Sequence, residues 1–433
     1  MALDIQAVKG MKDILPAQIQ YWQYLEQTLV GLLSSYGYDE IRSPLLEPTD
    51  LFKRAIGQVT DIVGKEMYTF EDKENDKKKA ESLTLRPEGT AQCVRAGIEH
   101  GLLYNQVQKL WYMGPMFRRE NPQKGRLRQF HQLGVEAFGL TGPDIDIEIL
   151  LMTYRLWQKL GLEKDIKLEL NSLGTYEERL EYRKELVKYF KANESELDAD
   201  SIDRLENNPL RILDSKNPAL KTLIENAPTI LEHLGLESKQ HFDGILAALE
   251  LYNIPYTINT RLVRGLDYYT HTVFEWTSNL LGAQSTVCAG GRYDDLVKLI
   301  GGKSTPSTGF ALGLERLLLI LEEKKSLPEL TSVDAYIVHD DIAALGVAEI
   351  LRDKLPNLKL ICHCGGGKFK AQFKKADMSG ARWAIVIGED ERAQNKYTVK
   401  SLREELPQQT FALEALVEFL DKNMNQNITQ KKD

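Results

Sequence analysis

Apolar residues between Ala17 and Tyr36 return at spacings of three and four, placing Trp22, Leu25, Leu29, Leu32 and Leu33 on one stripe. That period predicts an amphipathic helix, and Gly37 supplies its stop. The next stretch, YDEIRSPLLEP, is extended and carries Pro44 and Pro48. Proline withholds a ladder donor, so this strand belongs at a sheet edge or an interface. Gln108–Arg119 and Arg128–Gly139 read as two strands around the polar loop ENPQKGRL, which holds Pro122 and Gly125. Asp144 to Leu160 is helical again, and Ile166 to Leu170 alternates as a strand.

From Tyr176 to Tyr252 the pattern turns helical, rich in Glu, Lys and Leu and broken by Pro209, Pro218 and Pro228. Strands resume over Tyr256–Thr277 and Gln284–Ala289, so the helical block reads as an insertion into one β-rich domain. Thr308 to Glu323 reads as a helix, with Lys324 and Lys325 suiting its C-terminus. Beyond Val333, the segments DAYIVH, LKLICHC and RWAIVIG read as strands separated by helices, which predicts a small parallel α/β domain. The expected class is α+β: a first domain over 1–325 with its insertion at about 175–252, an α/β domain over 333–421, and a frayed polar tail over 422–433. The charged run Lys73–Lys79 reads as a solvent loop, and no internal repeat is present.

Composition adds limits. The 433 residues are 42% hydrophobic and 27% charged, enough for two or three ordinary globular domains. No apolar run approaches the ~20 residues that cross a bilayer. The N-terminus, MALDIQAVKGMKDILP, lacks the apolar core of a signal peptide, so no membrane partner and a cytoplasmic location are expected. The net charge of −8 opposes nucleic acid overall, so such a partner would have to meet a local patch. Between Lys359 and Arg403, ten Lys and Arg face four Asp and Glu, which is either that patch or a solvated surface. Cys93, Cys288, Cys362 and Cys364 make no disulfide framework. Cys362-His363-Cys364 lacks the second ligand pair of a structural zinc and reads as a buried strand end, so no protein-ligated metal is expected.

The candidate chemistry lies in the first domain. Arg118 and Arg119 precede a loop bearing Lys and Arg, and guanidinium forks match phosphate oxygens. On the return strand Phe130, Gln132, Gly134 and Glu136 share one face, either a pocket wall or a half-exposed strand. In LTLRPEGTAQCVRAG, Glu88 and Thr90 sit just before a helix, where they cap it or receive a ligand's ammonium. RLVRGLDYYTHTVFEW brings together Arg261, Arg264, Tyr268, Tyr269 and His271, and CAGGRYDD sets Tyr293 beside a glycine pair. In STGFALGLERLLLIL, Arg316 stands among apolar residues, as a surface side chain or as a partner for an anion.

Taken together, these segments resemble the three motifs of class II aminoacyl-tRNA synthetases. The long helix with the Pro44 strand resembles the dimer-forming motif 1. FRRE, loop and RQFHQLGVE resemble motif 2, and GFALGLERL resembles motif 3. LRPEGT and RLVRGLDYY resemble segments particular to the histidyl branch, and GGGKFKAQFKKAD resembles its anticodon-binding domain.

The resemblance implies an antiparallel-sheet catalytic domain, a homodimer, and three substrates: ATP with Mg2+, L-histidine and tRNA(His). It implies that Arg118 meets the α-phosphate and the substrate carboxylate, with Arg264 against the same phosphate. Arg126 would reach the outer phosphates, Glu120 would join the ATP site, and Phe130 and Arg316 would stack on the two faces of adenine. Glu88, Thr90 and Gln132 would hold the histidine ammonium, while Glu136, Tyr268, Tyr269 and Tyr293 would line the imidazole pocket. Leu127 departs from the pattern, standing where some relatives carry an aromatic residue. A non-catalytic relative, the regulatory subunit of ATP phosphoribosyltransferase, shares the core. It usually lacks the C-terminal domain and loses key arginines, whereas Arg118, Arg264, Arg316 and residues 333–420 are all present here.

Overall fold

The computed structural model describes residues 5–57, 60, 62–72, 80–215, 217–266, 268–282, 285–328 and 333–429. The Lys73–Lys79 run lies outside them. The chain divides into two compact units, Met1–Pro328 and Glu329–Asp433.

The first unit opens with α1 (Pro16–Ser35), whose buried stripe is Trp22, Leu25, Leu29, Leu32 and Leu33. Then follow β1 (Asp39–Glu40), β2 (Leu46–Pro48), α2 (Thr49–Ile56), β3 (Tyr68–Glu71), β4 (Ser82–Leu85) and α3 (Thr90–Glu99). The hairpin β5 (Gln108–Phe117) and β6 (Gln129–Phe138) leads to α4 (Pro143–Lys159) and β7 (Lys167–Ser172). The insertion contains α5 (Tyr176–Ala192), α6 (Ala199–Asn207), α7 (Lys221–Glu225) and α8 (Leu236–Leu251). The chain returns through β8 (Tyr256–Ile258), β9 (Thr270–Thr277), β10 (Thr286–Arg292), α9 (Leu296–Ile300), β11 (Ser307–Gly313) and α10 (Leu314–Glu323).

Eight strands form one sheet in the order β1-β5-β6-β11-β10-β9-β7-β8, antiparallel except where β1 joins β5 and β8 joins β7. The proline-bearing stretch ends up on edges, as expected: β1 borders this sheet and β2 borders the small sheet β2-β4-β3. Along β6 the pleat sends Leu133, Val135 and Ala137 into a core with α1, α4 and α10. Their neighbours Gln132 and Glu136 face the other side, above a second core built from α2, α3 and α9.

Two elements differ from the sequence reading. Thr308–Gly313 is strand, not helix, and α10 begins only at Leu314. Gly309 and Gly313 favour no helix there, and β6 and β10 offer ladder partners on both sides. The stretch Tyr256–Thr277 is not one strand: β8 ends at Ile258 and β9 starts at Thr270, and the described residues between them, 259–266 and 268–269, are neither helix nor strand.

A buried ionic hub fixes the far end of the sheet. Arg292 is 1% exposed and donates to Asp146 at 2.7 and 3.1 Å and to the carbonyls of Leu140 and Gly142 at 3.0 and 2.9 Å. Asp146 also accepts from Thr308 Oγ1 at 2.7 Å. Removing one partner strands a buried charge. Arg292→Met therefore lowers the unfolding free energy by about 3–5 kcal/mol, read from urea denaturation. An unchanged midpoint would contradict this account of the hub.

The second unit is a sheet of β12 (Ala335–His339), β13 (Leu360–Cys362), β14 (Trp383–Ile387), β15 (Tyr397–Ser401) and β16 (Gln409–Phe411), in the order β13-β12-β14-β15-β16. Its first three strands are parallel as expected; β15 and β16 are antiparallel additions that the pattern did not announce. The helices are α11 (Ala344–Lys354), α12 (Phe369–Met378), α13 (Glu389–Gln394) and α14 (Leu413–Thr429). The last runs through the first part of the polar tail instead of fraying at Lys422. Cys362 closes β13, and both ring nitrogens of the buried His363 are engaged, with the Tyr336 hydroxyl at 2.8 Å and the Gly366 carbonyl at 2.9 Å. Among the described residues no helix is long and apolar enough to cross a membrane.

Candidate active site

One cleft of about 290 Å³ opens on the face of the large sheet in the first unit. Every residue to which the resemblance gave a role lines it. Of the other candidates singled out in the sequence, Arg119, Arg261 and His271 do not line it.

The Glu136 carboxylate lines the cleft and is 1% exposed. Oε1 accepts from Thr90 Oγ1 and the Tyr112 hydroxyl, each at 2.8 Å, and Oε2 accepts from the Tyr293 hydroxyl. Burial pushes the Glu136 carboxyl up to about 8, although these three hydroxyls pull the other way. The rings of Tyr268 and Tyr269 lie 4.7 Å apart, and Tyr293 meets Tyr268 edge-on at 5.5 Å. The three rings, tilted against one another, wall a slot beside the buried Glu136 carboxylate. Glu88 does what a helix start asks of it, accepting from the amides of Thr90 and Ala91 at 2.7 and 2.9 Å, while also facing the cleft. Burial raises its pKa as well.

Tyr112, which also lines the cleft, carries no local signal in the sequence. It sits on β5 opposite Gly134, and the absent side chains of Gly134 and Gly89 make room for its ring; any Cβ at either position would overlap it. Gly309, beside Glu136 on the next strand, leaves space for that carboxylate in the same way. Gly134 is thus a seat for a neighbour, which only strand register could reveal.

Toward the mouth the cleft becomes cationic. Arg118 donates from Nε to the Pro87 carbonyl at 2.9 Å and lies 5.4 Å from the Phe130 ring. Arg264 pairs with Glu275 and lies 5.8 Å from the Tyr269 ring. Arg126 pairs with Glu120. Arg316 donates to the carbonyls of Gly125 and Thr286 at 2.9 and 2.7 Å. Burial, then Arg126 and Arg118, lower the Arg316 pKa; burial lowers Arg118 too, with Arg264 adding to it. Four guanidinium groups in one cleft are an arrangement able to hold a polyanion. Glu275 is a second residue the sequence reading passed over. It was a lone acid in an alternating strand, and only the fold reveals that it holds Arg264 while accepting from Thr286 at 2.8 Å.

The family profile described as histidyl-tRNA synthetase matches residues 10–317. An apo histidyl-tRNA synthetase from S. aureus is 40% identical over 96% of this chain and 99% of its own, with a TM-score of 0.79. The chain belongs to the histidyl-tRNA synthetase family. It is an aminoacyl-tRNA ligase of the histidine type, and a profile described as an anticodon-binding domain matches residues 335–423. A histidyl-tRNA synthetase from Nostoc sp. PCC 7120 shares the fold at 20% identity and TM-score 0.68, covering 97% of this chain and 100% of its own. A Bacillus halodurans protein titled ATP phosphoribosyltransferase regulatory subunit/histidyl-tRNA synthetase shares it at 22% identity and TM-score 0.63, covering 90% of this chain and 99% of its own. The regulatory reading thus has only distant likeness behind it. The two matched domains imply binding of ATP, histidine and tRNA.

Proposed function

We propose that this histidine–tRNA ligase uses the cleft in two steps, on magnesium–ATP, L-histidine and tRNA(His). The observation that carries the reading is that the buried Glu136, the tyrosines Tyr268, Tyr269 and Tyr293 and four arginines share one cleft. Arg118 lies within electrostatic reach of Tyr268, Glu88 and Arg264, and Arg316 within reach of Arg118 and Arg126.

Histidine enters with its imidazole between Tyr268, Tyr269 and Tyr293 and a ring nitrogen toward Glu136. Glu88, Thr90 and Gln132 receive its ammonium. ATP lies beyond, with Arg126 at the outer phosphates and Glu120, its ion-pair partner, beside it in the ATP site. Phe130 and Arg316 take adenine between them: the carbonyls hold Arg316 through its in-plane N–H groups, which leaves the flat face of the guanidinium for stacking. A histidine carboxylate oxygen attacks the α-phosphorus, the bond to the bridging oxygen breaks, and magnesium pyrophosphate leaves. The protein supplies alignment and charge rather than a nucleophile, with Arg118 and Arg264 at the α-phosphate. In the second step the terminal 3′-hydroxyl of the tRNA attacks the acyl carbon. AMP departs with the electrons of the broken C–O bond, and the hydroxyl proton ends in water.

The protein works as a cytoplasmic homodimer in this reading. The exposed Leu45, Leu46 and Phe70 around the small β2-β4-β3 sheet supply an apolar face for pairing. The deciding experiment is charging of bulk tRNA with each labelled amino acid. Histidine alone is transferred, and only with ATP. Histidine binding without any ATP-dependent transfer would instead favour the regulatory reading.

A further inference from the structure

Arg261 drew notice in the sequence beside Arg264, yet it does not line the cleft. The structure gives its guanidinium a different set of partners, all on the helical insertion. Nη1 donates to the Pro228 carbonyl at 2.9 Å, and Nη2 donates to the carbonyls of Ala227 at 2.6 Å and Glu225 at 3.0 Å. Glu225 is the last residue of α7, so the arginine gathers the chain end leaving that helix. Tyr182 of α5 donates to the same Pro228 carbonyl at 3.0 Å, which ties this point to the insertion's own core.

The loop between β8 and β9 presents Arg264 and both slot tyrosines, and the insertion grips it on either side of Arg264. Upstream is the Arg261 fork. Val263 comes next, and its side chain packs against both the insertion core and the core beneath the cleft. Downstream, Arg179 of α5 donates to the Tyr269 carbonyl. On the sheet side the loop is held by the Asn171 amide, which donates to the Leu262 carbonyl at 3.0 Å. A cavity of about 210 Å³ lies behind Arg264, between the loop and the insertion, so Arg264 has room to shift if the grip loosens.

We propose that Arg261 is a positioning residue: it locks the loop that presents Arg264 onto the helical insertion, so that the insertion sets the rate of histidine activation. The inference rests on the ligase reading above. It follows from geometry, because displacing a charge-stabilising group by about 1 Å costs on the order of 10²-fold in rate. Lysine at 261 reaches one carbonyl with a point charge, but it cannot span three with a rigid fork.

The test is histidine-dependent ATP–pyrophosphate exchange on the full chain. Arg261→Ala lowers kcat by roughly 10- to 100-fold and leaves the KM for ATP within about twofold, and Arg261→Lys restores part of the loss. The decisive arm repeats Arg261→Ala in an Arg264→Ala background. Acting through Arg264, the second change then alters kcat by less than about twofold. Wild-type kcat for Arg261→Ala overturns the inference, and so does an equal loss in both backgrounds, which marks a purely structural part. Absence of histidine-dependent exchange in the unaltered chain overturns the ligase reading and this inference with it.

Discussion

Arg264→Ala lowers the single-turnover rate of histidyl-adenylate formation by about 10²–10³-fold, with a much smaller change in the affinity for either substrate. The asymmetry follows from where the charge is needed. Negative charge on the α-phosphate oxygens is redistributed as the new P–O bond forms, and a fixed guanidinium helps most at that moment. Arg264 is held for the task before ATP arrives: Glu275 pairs with it, its side chain is 18% exposed, and the Tyr269 ring lies 5.8 Å away. In the proposed arrangement ground-state binding is shared among Arg118, Arg126 and Arg316, so losing one member of the set is expected to weaken it modestly. A rate equal to that of the unaltered chain would refute the assignment.

Glu136→Gln has the second large effect, and it shows in pH as well as in selectivity. Glu136 is the acid among the slot's hydroxyls, so once ionised it is the slot's strongest acceptor for an imidazole N–H. Its loss reduces kcat/KM for histidine by about 10²–10³-fold and narrows the margin over ring analogues that lack nitrogen.

The unliganded chain carries a second signature of the same group. Burial moves the carboxyl from 4.5 to about 8. The folded state then holds the proton more tightly than the unfolded one. The contribution to stability is complete below pH 4.5 and is lost as pH rises through 8. Urea midpoints of the unaltered chain fall across that window, and Glu136→Gln flattens this part of the slope. Parallel pH profiles for the two proteins would count against a buried, proton-holding Glu136.

Much of the site was legible because its residues break local rules. Paired arginines before a polar loop, adjacent tyrosines near glycines, and an arginine inside an apolar run each have a bland explanation. Only the resemblance of these segments, taken together, to the class II synthetase motifs implied one pocket. What stayed hidden had no local anomaly. Tyr112 is an ordinary aromatic in a strand, and Glu275 an ordinary acid in an alternating one. The Thr308–Gly313 segment misled because strand and helix are both open to a short apolar run with glycines, and the choice fell to neighbours distant in sequence.

The amino-acid order by itself determined the helices with a clear stripe, the alternating hairpin over 108–138, the helical block as an insertion, and the set of side chains able to bind an anion. Those features are local, and periods of 3.6 and 2 encode them directly. Tertiary structure alone decided that Tyr112 fills the space left by Gly134 and Gly89, that Glu275 restrains Arg264, and that Arg261 faces the insertion instead of the cleft. The reason is that each depends on register and packing between segments far apart in the chain, and a linear pattern carries no coordinate for that distance.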